Sequence, residues 1–243
     1  MSSYSAHELY LELLKKTILN EIYIDLEGAD PHNRREGLDW PVIGHSMIGR
    51  HRMENLQQCM ASVIANNVPG DFIETGVWRG GACIFMRGFL KAYGITNRQV
   101  WVADSFEGLP EPDIQNYPQD IGSALHTVSQ LEVSLENVQE NFAKYDLLDE
   151  QVRFLQGWFK DTLPTAPIQQ IAVARLDGDM YSSTMDSLRN LYPKVSPGGY
   201  IIIDDYGVLA TCAAAVTDYR NEFGITDPII PIDSTGVYWR KTR

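Results

Sequence analysis

Four aspartates stand in two short motifs in the second half of the chain: Asp177 and Asp179 are separated by one glycine, and Asp204 and Asp205 are adjacent. Each motif directly follows a run of apolar residues. Carboxylates at the ends of adjacent strands repel one another and raise their own pKa values unless a cation neutralises them. Hard oxygen ligands of this number suit Mg²⁺, with water and substrate oxygens completing its octahedral shell. The motifs therefore predict a magnesium site, because helix capping would account for only one carboxylate in each loop.

A glycine-rich turn follows the first apolar run, where residues 74–81 read Glu-Thr-Gly-Val-Trp-Arg-Gly-Gly. Glycine permits a tight turn and close backbone approach, and the helix that follows offers unpaired N–H groups to a polar or anionic ligand. The dinucleotide fingerprint reads G-x-G-x-x-G, whereas this turn reads G-x-x-x-G-G, with Glu74 two places before its first glycine. This spacing disfavours NAD. The alternative is a turn that holds no ligand.

A second polar pair, Asp104 and Ser105, follows the next apolar run. An acidic side chain at the tip of the second strand is placed to accept hydrogen bonds from both hydroxyls of a ribose. Taken alone, an aspartate at a strand end is more often a cap or a loop residue. Beside the glycine-rich turn, it predicts a ligand that contains a ribose.

Composition sets the class of protein that carries these motifs. Of 243 residues, 44% are hydrophobic and 21% are charged, which excludes a disordered, collagen-like or coiled-coil chain. The formal net charge of -12 repels phosphate backbones, so no nucleic-acid partner is expected. Three scattered cysteines without a C-x-x-C pair argue against a disulfide framework or a zinc site. No apolar run approaches the roughly 18 residues of a membrane span, and the first residues lack a signal peptide, so we expect a cytoplasmic protein without a membrane partner.

Short apolar runs alternate with helical stretches along the chain and would position these motifs. Strands are predicted at residues 71–75, 100–103, 152–155, 171–176 and 200–203, and helices at residues 81–93, 131–145, 183–191 and 209–223. Nearly all-apolar strands that alternate with helices predict an open, doubly wound α/β domain with a mostly parallel sheet. Residues 228–232 and 237–240 flank a turn-forming segment and predict a closing antiparallel hairpin.

Further elements lie outside this alternation. Helices are predicted at residues 6–20 and 50–65. Two long polar segments, residues 25–45 (the first lid) and residues 104–130 (the second lid), are of the kind that often covers a binding site. His45 ends the first lid, and an isolated histidine is more typical of a structural position than of a catalytic base.

Together these motifs resemble the macrocin O-methyltransferase (TylF) family, which methylates sugar hydroxyls with S-adenosylmethionine in macrolide pathways. The resemblance runs through nearly the whole chain and is carried by Trp-Arg-Gly-Gly at residues 78–81, Gly-Trp-Phe-Lys-Asp-Thr at 157–162, Asp-Gly-Asp at 177–179 and Ile-Asp-Asp-Tyr at 203–206. It implies a helical and lid extension at residues 1–68 and a Rossmann-like class I methyltransferase domain at residues 69–243, integrated into one unit. It also implies a homodimer whose N-terminal segments form part of the pocket.

The resemblance assigns roles to individual residues. Asp177, Asp204 and Asp205 would bind Mg²⁺, and Asp179 would be the general base. The residues implied to bind the donor are Glu74, Thr75, Gly76, Asp104, Ser105, Gly157, Trp158 and Asp177. The residues expected to contact the acceptor are Met47, Tyr181 and Tyr206.

The predicted reaction is methyl transfer to a sugar hydroxyl in a glycosylated natural product such as a macrolide, with two neighbouring acceptor hydroxyls bound to Mg²⁺. A metal-dependent catechol or phenol O-methyltransferase is the nearest alternative, because vicinal oxygens on an aromatic ring can chelate the same ion. A donor-binding module without chemistry is disfavoured by the four carboxylates, and an NAD oxidoreductase by the glycine spacing. Residues 25–40 and 107–130 match no fixed pattern of the family, so the exact acceptor stays open.

Overall fold

The computed structural model describes residues 5–243, and its centre is a seven-stranded sheet. The strands are β1 (Asp71–Thr75), β2 (Val100–Asp104), β3 (Val152–Gln156), β4 (Ile171–Leu176), β5 (Val195–Ile203), β6 (Ile230–Pro231) and β7 (Val237–Arg240). Their order across the sheet is β3-β2-β1-β4-β5-β7-β6. Strands β1 to β5 run parallel, and β7 pairs antiparallel with both β5 and β6. The predicted doubly wound sheet with a terminal antiparallel hairpin is confirmed.

Helices surround this sheet. The α-helices are α1 (Ala6–Ile18), α2 (Ile24–Glu27), α3 (Pro31–Glu36), α4 (Gly49–Ala65), α5 (Gly81–Ala92), α6 (Leu135–Lys144), α7 (Phe159–Thr162), α8 (Tyr181–Leu191) and α9 (Ala210–Glu222). Short 3₁₀ turns occupy Pro118–Asp120, Leu125–Thr127, Ser129–Leu131, Leu163–Thr165 and Tyr192–Lys194. The second lid therefore contains three such turns where the sequence suggested only irregular chain.

Apolar cores cover both faces of the sheet, which is why its central strands are apolar on both sides. One core joins the sheet to α1, α5 and α6 through residues such as Leu11, Phe85 and Phe142. The other includes Leu188 of α8 and Val216 of α9. The strand order reverses between β1 and β4, because β2 lies beside β1 on its other edge. A crevice is expected at the carboxyl ends of the strands at this reversal.

Several boundaries differ from the sequence-based expectation. Helix α6 begins at Leu135 rather than at residue 131, because the Ser134 hydroxyl accepts the Asn137 N–H (3.3 Å) and caps the helix there. Helix α8 begins at Tyr181 rather than at residue 183. Strand β6 spans only Ile230–Pro231 rather than residues 228–232, and the Ile232 N–H then donates to the Gly236 carbonyl (2.9 Å) in the turn that leads to β7.

The first lid is partly helical, because α2 and α3 lie within it. Helix α3 ends at Gly37, whose φ of +66° is favourable only for glycine. The buried Arg34 guanidinium donates to the carboxylates of Glu27 (2.6 Å) and Asp39 (2.7 Å) and to the Leu19 carbonyl (2.9 Å). This cation ties the lid to the end of the first helix.

The N-terminal segment packs into the core of the sheet. Helix α1 lies close to α5 at Gly88, where a Cβ would overlap the Leu14 side chain. The division between a residue 1–68 extension and a residue 69–243 methyltransferase domain stays a prediction, and residues 1–4 of that extension lie outside the described residues. In the described part of the chain, the helices are too short or too polar to cross a membrane.

Candidate active site

A cavity of about 470 Å³ lies at the carboxyl ends of the parallel strands, within the size range of small-molecule sites. Glu74 and Gly76 line it from the end of β1, Asp104 from the end of β2 and Asp177 from the end of β4. Both lids contribute walls, including Trp40 from the first lid. The motifs that the sequence places in separate loops thus meet around one cavity at the reversal of strand order.

Both lids are attached to the glycine-rich turn by side chains of that turn. The Trp78 indole Nε1–H donates to the carbonyl of Gln130, at the end of the second lid (2.9 Å). Arg79 Nη1 donates to carbonyls of the first lid, including those of Val42 (2.8 Å) and Gly44 (2.8 Å). A methyl donor bound along this turn would therefore lie between the two lids.

Gly76 brings the ends of β1 and β4 together. Its φ is +79°, and a Cβ at this position would overlap the carbonyl oxygen of Asp177. The Asp177 N–H donates to the carbonyl of Thr75 (2.9 Å) across the same junction. A glycine is therefore required here by backbone packing, whether or not a ligand approaches the turn.

We expect Gly76→Ala to lower the free energy of unfolding by about 2–4 kcal/mol, because the methyl group adds overlap to an unfavourable φ. Urea denaturation followed by circular dichroism measures this change. Gly94→Ala is the matched control, because Gly94 has a φ of +63° but no atom within 4 Å of its added Cβ. It should cost about 1 kcal/mol from conformation alone. Equal losses for the two variants would contradict the overlap at Gly76.

Asp104 accepts backbone hydrogen bonds on both carboxylate oxygens: Oδ2 from the Val77 N–H (2.7 Å) and Oδ1 from the Phe106 N–H (2.8 Å). Burial raises the pKa of this carboxyl, and the two N–H donors oppose the rise. Each carboxylate oxygen can accept a further hydrogen bond, so the side chain keeps capacity for ribose hydroxyls. The Ser105 hydroxyl is engaged, since it donates to the Gly108 carbonyl (2.7 Å).

Two of the residues predicted to bind the methyl donor lie outside the cavity lining formed by residues 5–243. Thr75 is fully buried, and its hydroxyl contacts that of Ser187 (3.3 Å). Gly157 donates its N–H to the carbonyl of Asp104 (2.9 Å) with a φ of +133°. Trp158, the next residue, does line the cavity. Thr75 and Gly157 therefore shape the strand ends, whereas Trp158 can face a ligand.

A buried arginine that was not predicted as a site residue forms ion pairs with several of the acidic groups. Arg175 Nη1 lies 2.5 Å from Glu74 Oε1 and 2.9 Å from Asp177 Oδ2, and its Nη2 contacts Asp204. The Cys83 thiol donates to the other oxygen of Glu74 (3.1 Å). Burial raises the pKa of Glu74 to about 7, although Arg175 opposes that rise. Arg175 is the charged residue in the otherwise apolar run at residues 171–176, and this position could have indicated its role from the sequence.

A second buried arginine, Arg52 of α4, holds Asp204 from the opposite side. Its guanidinium contacts the Asp204 carboxylate, forms an ion pair with Asp233 (3.1 Å) and donates to the carbonyl of Gly37 (3.1 Å). Both oxygens of Asp204 thus face arginines. Of the three aspartates predicted to bind the metal, Asp204 thus has both oxygens paired with arginines and Asp177 has one oxygen paired with Arg175.

Three carboxylates converge in the cavity. One oxygen from each of Asp177, Asp179 and Asp205 lies within 4.8 Å of the other two. Asp205 Oδ2 is buried and has no hydrogen-bond partner within residues 5–243. Burial, followed by repulsion from neighbouring carboxylates, raises the pKa of all three groups. A buried acceptor without a donor and three mutually repelling acids fit a divalent cation.

The cavity carries a large excess of negative charge. Nine acidic and three basic side chains line it, and two of the basic ones, Arg52 and Arg175, are buried in ion pairs. The third is Lys160. Such a site favours ligands with positive charge, including a sulfonium ion and a divalent metal.

The residues predicted to contact the acceptor occupy different surroundings. Met47 lines the cavity. Tyr181 is buried, and its hydroxyl donates to Asp218 (3.0 Å) on α9, so the ring points towards that helix. Tyr206 packs against the second apolar core. Neither tyrosine belongs to the cavity lining among the described residues, whereas Met47 does, and contact of these residues with the acceptor stays a prediction.

His45 forms a structural contact at the end of the first lid. Its Nδ1 lies 2.9 Å from the Tyr145 hydroxyl, and its carbonyl accepts the Gly81 N–H (2.9 Å). Burial, and then the positive charges of Lys144 and Arg79, lower its pKa to about 4. The imidazole is therefore neutral at pH 7, and it lies outside the cavity lining of residues 5–243.

We expect His45 to make the protein less stable as the pH falls. Between about pH 6.5 and pH 4 the unfolded chain binds a proton that the folded chain does not, so stability falls as pH decreases through this window. Allowing for solvent screening at this partly exposed side chain, the loss between pH 7 and pH 5 is about 1 kcal/mol. Urea denaturation at both pH values should show a smaller loss in His45→Gln. Equal pH dependence in both proteins would contradict the assignment.

Comparison with known proteins identifies the family. The macrocin-O-methyltransferase (TylF) family model matches residues 24–241. The chain is 54% identical over 248 residues to 8-demethyl-8-(2,3-dimethoxy-alpha-L-rhamnosyl)-tetracenomycin-C 4'-O-methyltransferase of Streptomyces olivaceus, covering 98% of this chain and 94% of that protein. It is 52% identical over 254 residues to mycinamicin III 3''-O-methyltransferase of Micromonospora griseorubida, covering 100% of both.

A solved structure extends this similarity to three dimensions. The O-methyltransferase NovP matches with a TM-score of 0.93 and 55% sequence identity, covering 98% of this chain and 100% of that one. Family, fold and chemistry therefore agree with the resemblance seen in the sequence. The chain belongs to the macrocin-O-methyltransferase (TylF) family, and it is an S-adenosylmethionine-dependent O-methyltransferase with a Rossmann-like class I fold.

Proposed function

We propose that this enzyme methylates a hydroxyl group of a sugar carried by a glycosylated natural product, and that it uses Mg²⁺. The observation that carries the proposal is the convergence of Asp177, Asp179 and Asp205, whose oxygens lie within 4.8 Å of one another in the cavity. The relatives' names support the acceptor class. One names a rhamnosyl compound methylated at the 4' oxygen, and the other names a 3'' oxygen of mycinamicin III.

Mg²⁺ would be held beside the glycine-rich turn. Asp205 is a proposed ligand with free capacity, because its Oδ2 has no hydrogen-bond partner in the described part of the chain. Asp177 is the second proposed ligand, although its Oδ2 also contacts Arg175 (2.9 Å). Asp204 is the proposed third ligand, and its oxygens here face Arg52 and Arg175. When bound, Mg²⁺ would lower the pKa of an acceptor hydroxyl that coordinates it.

The donor would lie across the ends of β1 and β2. Asp104 would accept hydrogen bonds from the ribose hydroxyls with its remaining lone pairs, and Gly76 leaves the turn open to close approach. Trp158 would form a wall of the donor site. When bound, S-adenosylmethionine supplies a methyl group on a positively charged sulfur. The acidic lining favours that charge.

Asp179 would accept the proton of the attacking hydroxyl. Its backbone has a φ of +56°, which is uncommon outside glycine, and one of its carboxylate oxygens lies within 4.8 Å of those of Asp177 and Asp205. The lids would exclude water and hold the acceptor oxygen near the donor methyl, and such orientation contributes several kcal/mol in well-studied reactions, on the order of 7–11 kcal/mol at most.

The apolar wall of the first lid favours a large acceptor. Leu38 and Trp40 of the first lid line the cavity together with Met47, which follows the lid, and Trp40 is 51% exposed. A sugar alone has little apolar surface to cover these side chains, whereas an attached aglycone does. This wall supports a glycoside over a free sugar.

Methyl transfer from carbon-13 labelled S-adenosylmethionine tests the acceptor class. A macrolide glycoside and a rhamnosylated aromatic polyketide, each with two neighbouring free hydroxyls, would be compared with their aglycones and with catechol. We expect labelled methyl ether on the sugar, located by NMR, with the aglycones and catechol at least about 100-fold slower. A preference for catechol would favour the phenolic alternative, and tight donor binding without transfer to any acceptor would favour a binding module.

We also propose a homodimer formed through the N-terminal segment. Leu9 and Leu13 lie one turn apart on α1 and are 57% and 55% exposed, and Leu26 of the first lid is 76% exposed. Large apolar side chains exposed together mark interaction surfaces. Light scattering should give twice the 27.4 kDa chain mass, and Leu9→Glu combined with Leu13→Glu should give a monomer. A monomeric parent protein would contradict the proposal.

A further inference from the structure

Helix α8 obtains its N-terminal cap from the second lid. The residue before the helix, Met180, makes no side-chain capping bond among the described residues. Asp120, about sixty residues earlier in the chain, supplies it instead: Oδ1 accepts the Tyr181 N–H (2.7 Å) and Oδ2 accepts the Ser182 N–H (3.0 Å). Asp120 is fully buried. A carboxylate at this position satisfies two unpaired donors and complements the helix dipole.

The capped end of α8 lies directly after the proposed base. Asp179 precedes Tyr181 by two residues, with Met180 between them. The Met180 N–H donates to the Gly178 carbonyl (2.5 Å), so the chain from Asp179 to the helix is a tight turn. With its backbone at a φ of +56°, Asp179 depends on fixed neighbours to stay in this conformation. The Asp120 cap fixes the neighbour on the C-terminal side.

The same part of the second lid also forms the cavity wall. Tyr117 lines the cavity, its ring lies 6.1 Å from that of Tyr181, and its hydroxyl donates to Asp186 (3.4 Å). Asp120 itself lies outside the cavity lining of residues 5–243. The short turn Pro118–Asp120 therefore joins the wall around the ligands to the helix that carries the base segment.

We propose that Asp120 is a positioning residue: by capping α8 from the second lid, it fixes the Asp179 segment in its productive geometry when the lid lies over the cavity. This inference rests on the proposed role of Asp179 as the general base. The lid then both encloses the reactants and sets the conformation of the group that removes the proton.

Steady-state kinetics of Asp120→Ala and Asp120→Asn test this role. We expect kcat to fall about 30-fold for alanine, since small misplacement of a reacting group costs up to about 100-fold. Asparagine should cost about 5-fold, because it keeps one acceptor oxygen but turns an amide N–H towards the other donor. The dissociation constant of S-adenosylhomocysteine should change less than kcat. Glu222→Gln is the control: it removes the exposed Arg189 pair that links α8 to α9, and kcat should be unchanged.

A double-mutant cycle separates positioning from general destabilisation. If Asp120 acts through Asp179, Asp120→Ala should cost kcat nothing further in an Asp179→Asn background, whereas a merely structural effect would lower kcat by the same factor in both backgrounds. The same cycle with Asp120→Asn serves if the alanine variant does not fold.

Two other sets of results would contradict different proposals. Full kcat in Asp120→Asn, or equal factors in the two backgrounds, overturns the positioning role while the proposed function stands. If Asp179→Asn retained the full kcat, Asp179 would not be the general base, and the proposed mechanism would be wrong.

Discussion

Asp179→Asn should lower kcat by about 10²–10⁴-fold, because a positioned general base contributes this much and an amide cannot take a proton. Asparagine matches aspartate in shape, so the segment between Gly178 and Met180 keeps its turn. A base acts in the transition state, and we therefore expect little change in the affinity for S-adenosylhomocysteine. Single-turnover assays with labelled donor would measure kcat, and calorimetry would measure the affinity.

Asp218→Asn is the matched control for that substitution. Asp218 is exposed on α9 and accepts the Tyr181 hydroxyl (3.0 Å), so the same chemical change is made beside the same helix but outside the cavity lining of the described residues. Its kcat should equal that of the parent enzyme. Equal kcat values for the two variants would mean that Asp179 has no role in proton transfer.

Removal of divalent ions should lower kcat by at least about 100-fold, and Mg²⁺ should restore it, since Lewis-acid assistance is worth several kcal/mol. The structural reason is that Asp205 Oδ2 has no hydrogen-bond partner among residues 5–243 and lies close to carboxylate oxygens of Asp177 and Asp179. The assay would compare enzyme dialysed against a chelator with the same enzyme after Mg²⁺ is added. Undiminished turnover in the chelated enzyme would exclude a role for the ion.

Thermal unfolding gives a second readout that does not depend on activity. Without metal, Asp205→Asn removes one of three mutually repelling, half-buried acids, so its Tm should exceed that of the parent protein. Added Mg²⁺ should raise the Tm of the parent by mass action and leave the variant largely unchanged. A Tm for Asp205→Asn below that of the parent in the absence of metal would contradict the repulsion that we infer.

The location of the site could be predicted from sequence because it follows from a local pattern. Apolar strands alternating with helices specify a parallel sheet, and such a sheet brings the residues after each strand to one edge. Gly76, Asp104 and Asp177 were placed correctly around the cavity by this reasoning alone. No knowledge of their partners was needed.

Pairing between distant residues could not be predicted in the same way. Asp204 was predicted as a metal ligand beside Asp177 and Asp205, and nothing in the sequence indicated that Arg52, 152 residues away in the chain, faces one of its oxygens. Tyr181 was predicted to contact the acceptor, and nothing in the sequence indicated that its hydroxyl donates to Asp218 on α9 or that Asp120 caps its backbone N–H. These contacts join residues that are distant in the chain and depend on the assembled tertiary structure, whereas sequence periodicity reports only local structure.

The second lid is held at two places, by the Asp120 cap on α8 and by the Trp78 bond to the Gln130 carbonyl. The chain between them, residues 121–129, brings Leu125 to the cavity wall. The aspartates proposed to bind the metal ion and to remove the proton lie outside this segment, so we expect changes within it to leave proton removal intact. For enzyme engineering, residues 121–129 are therefore the segment to replace when the aim is to change the aglycone that the enzyme accepts and to retain the catalytic residues.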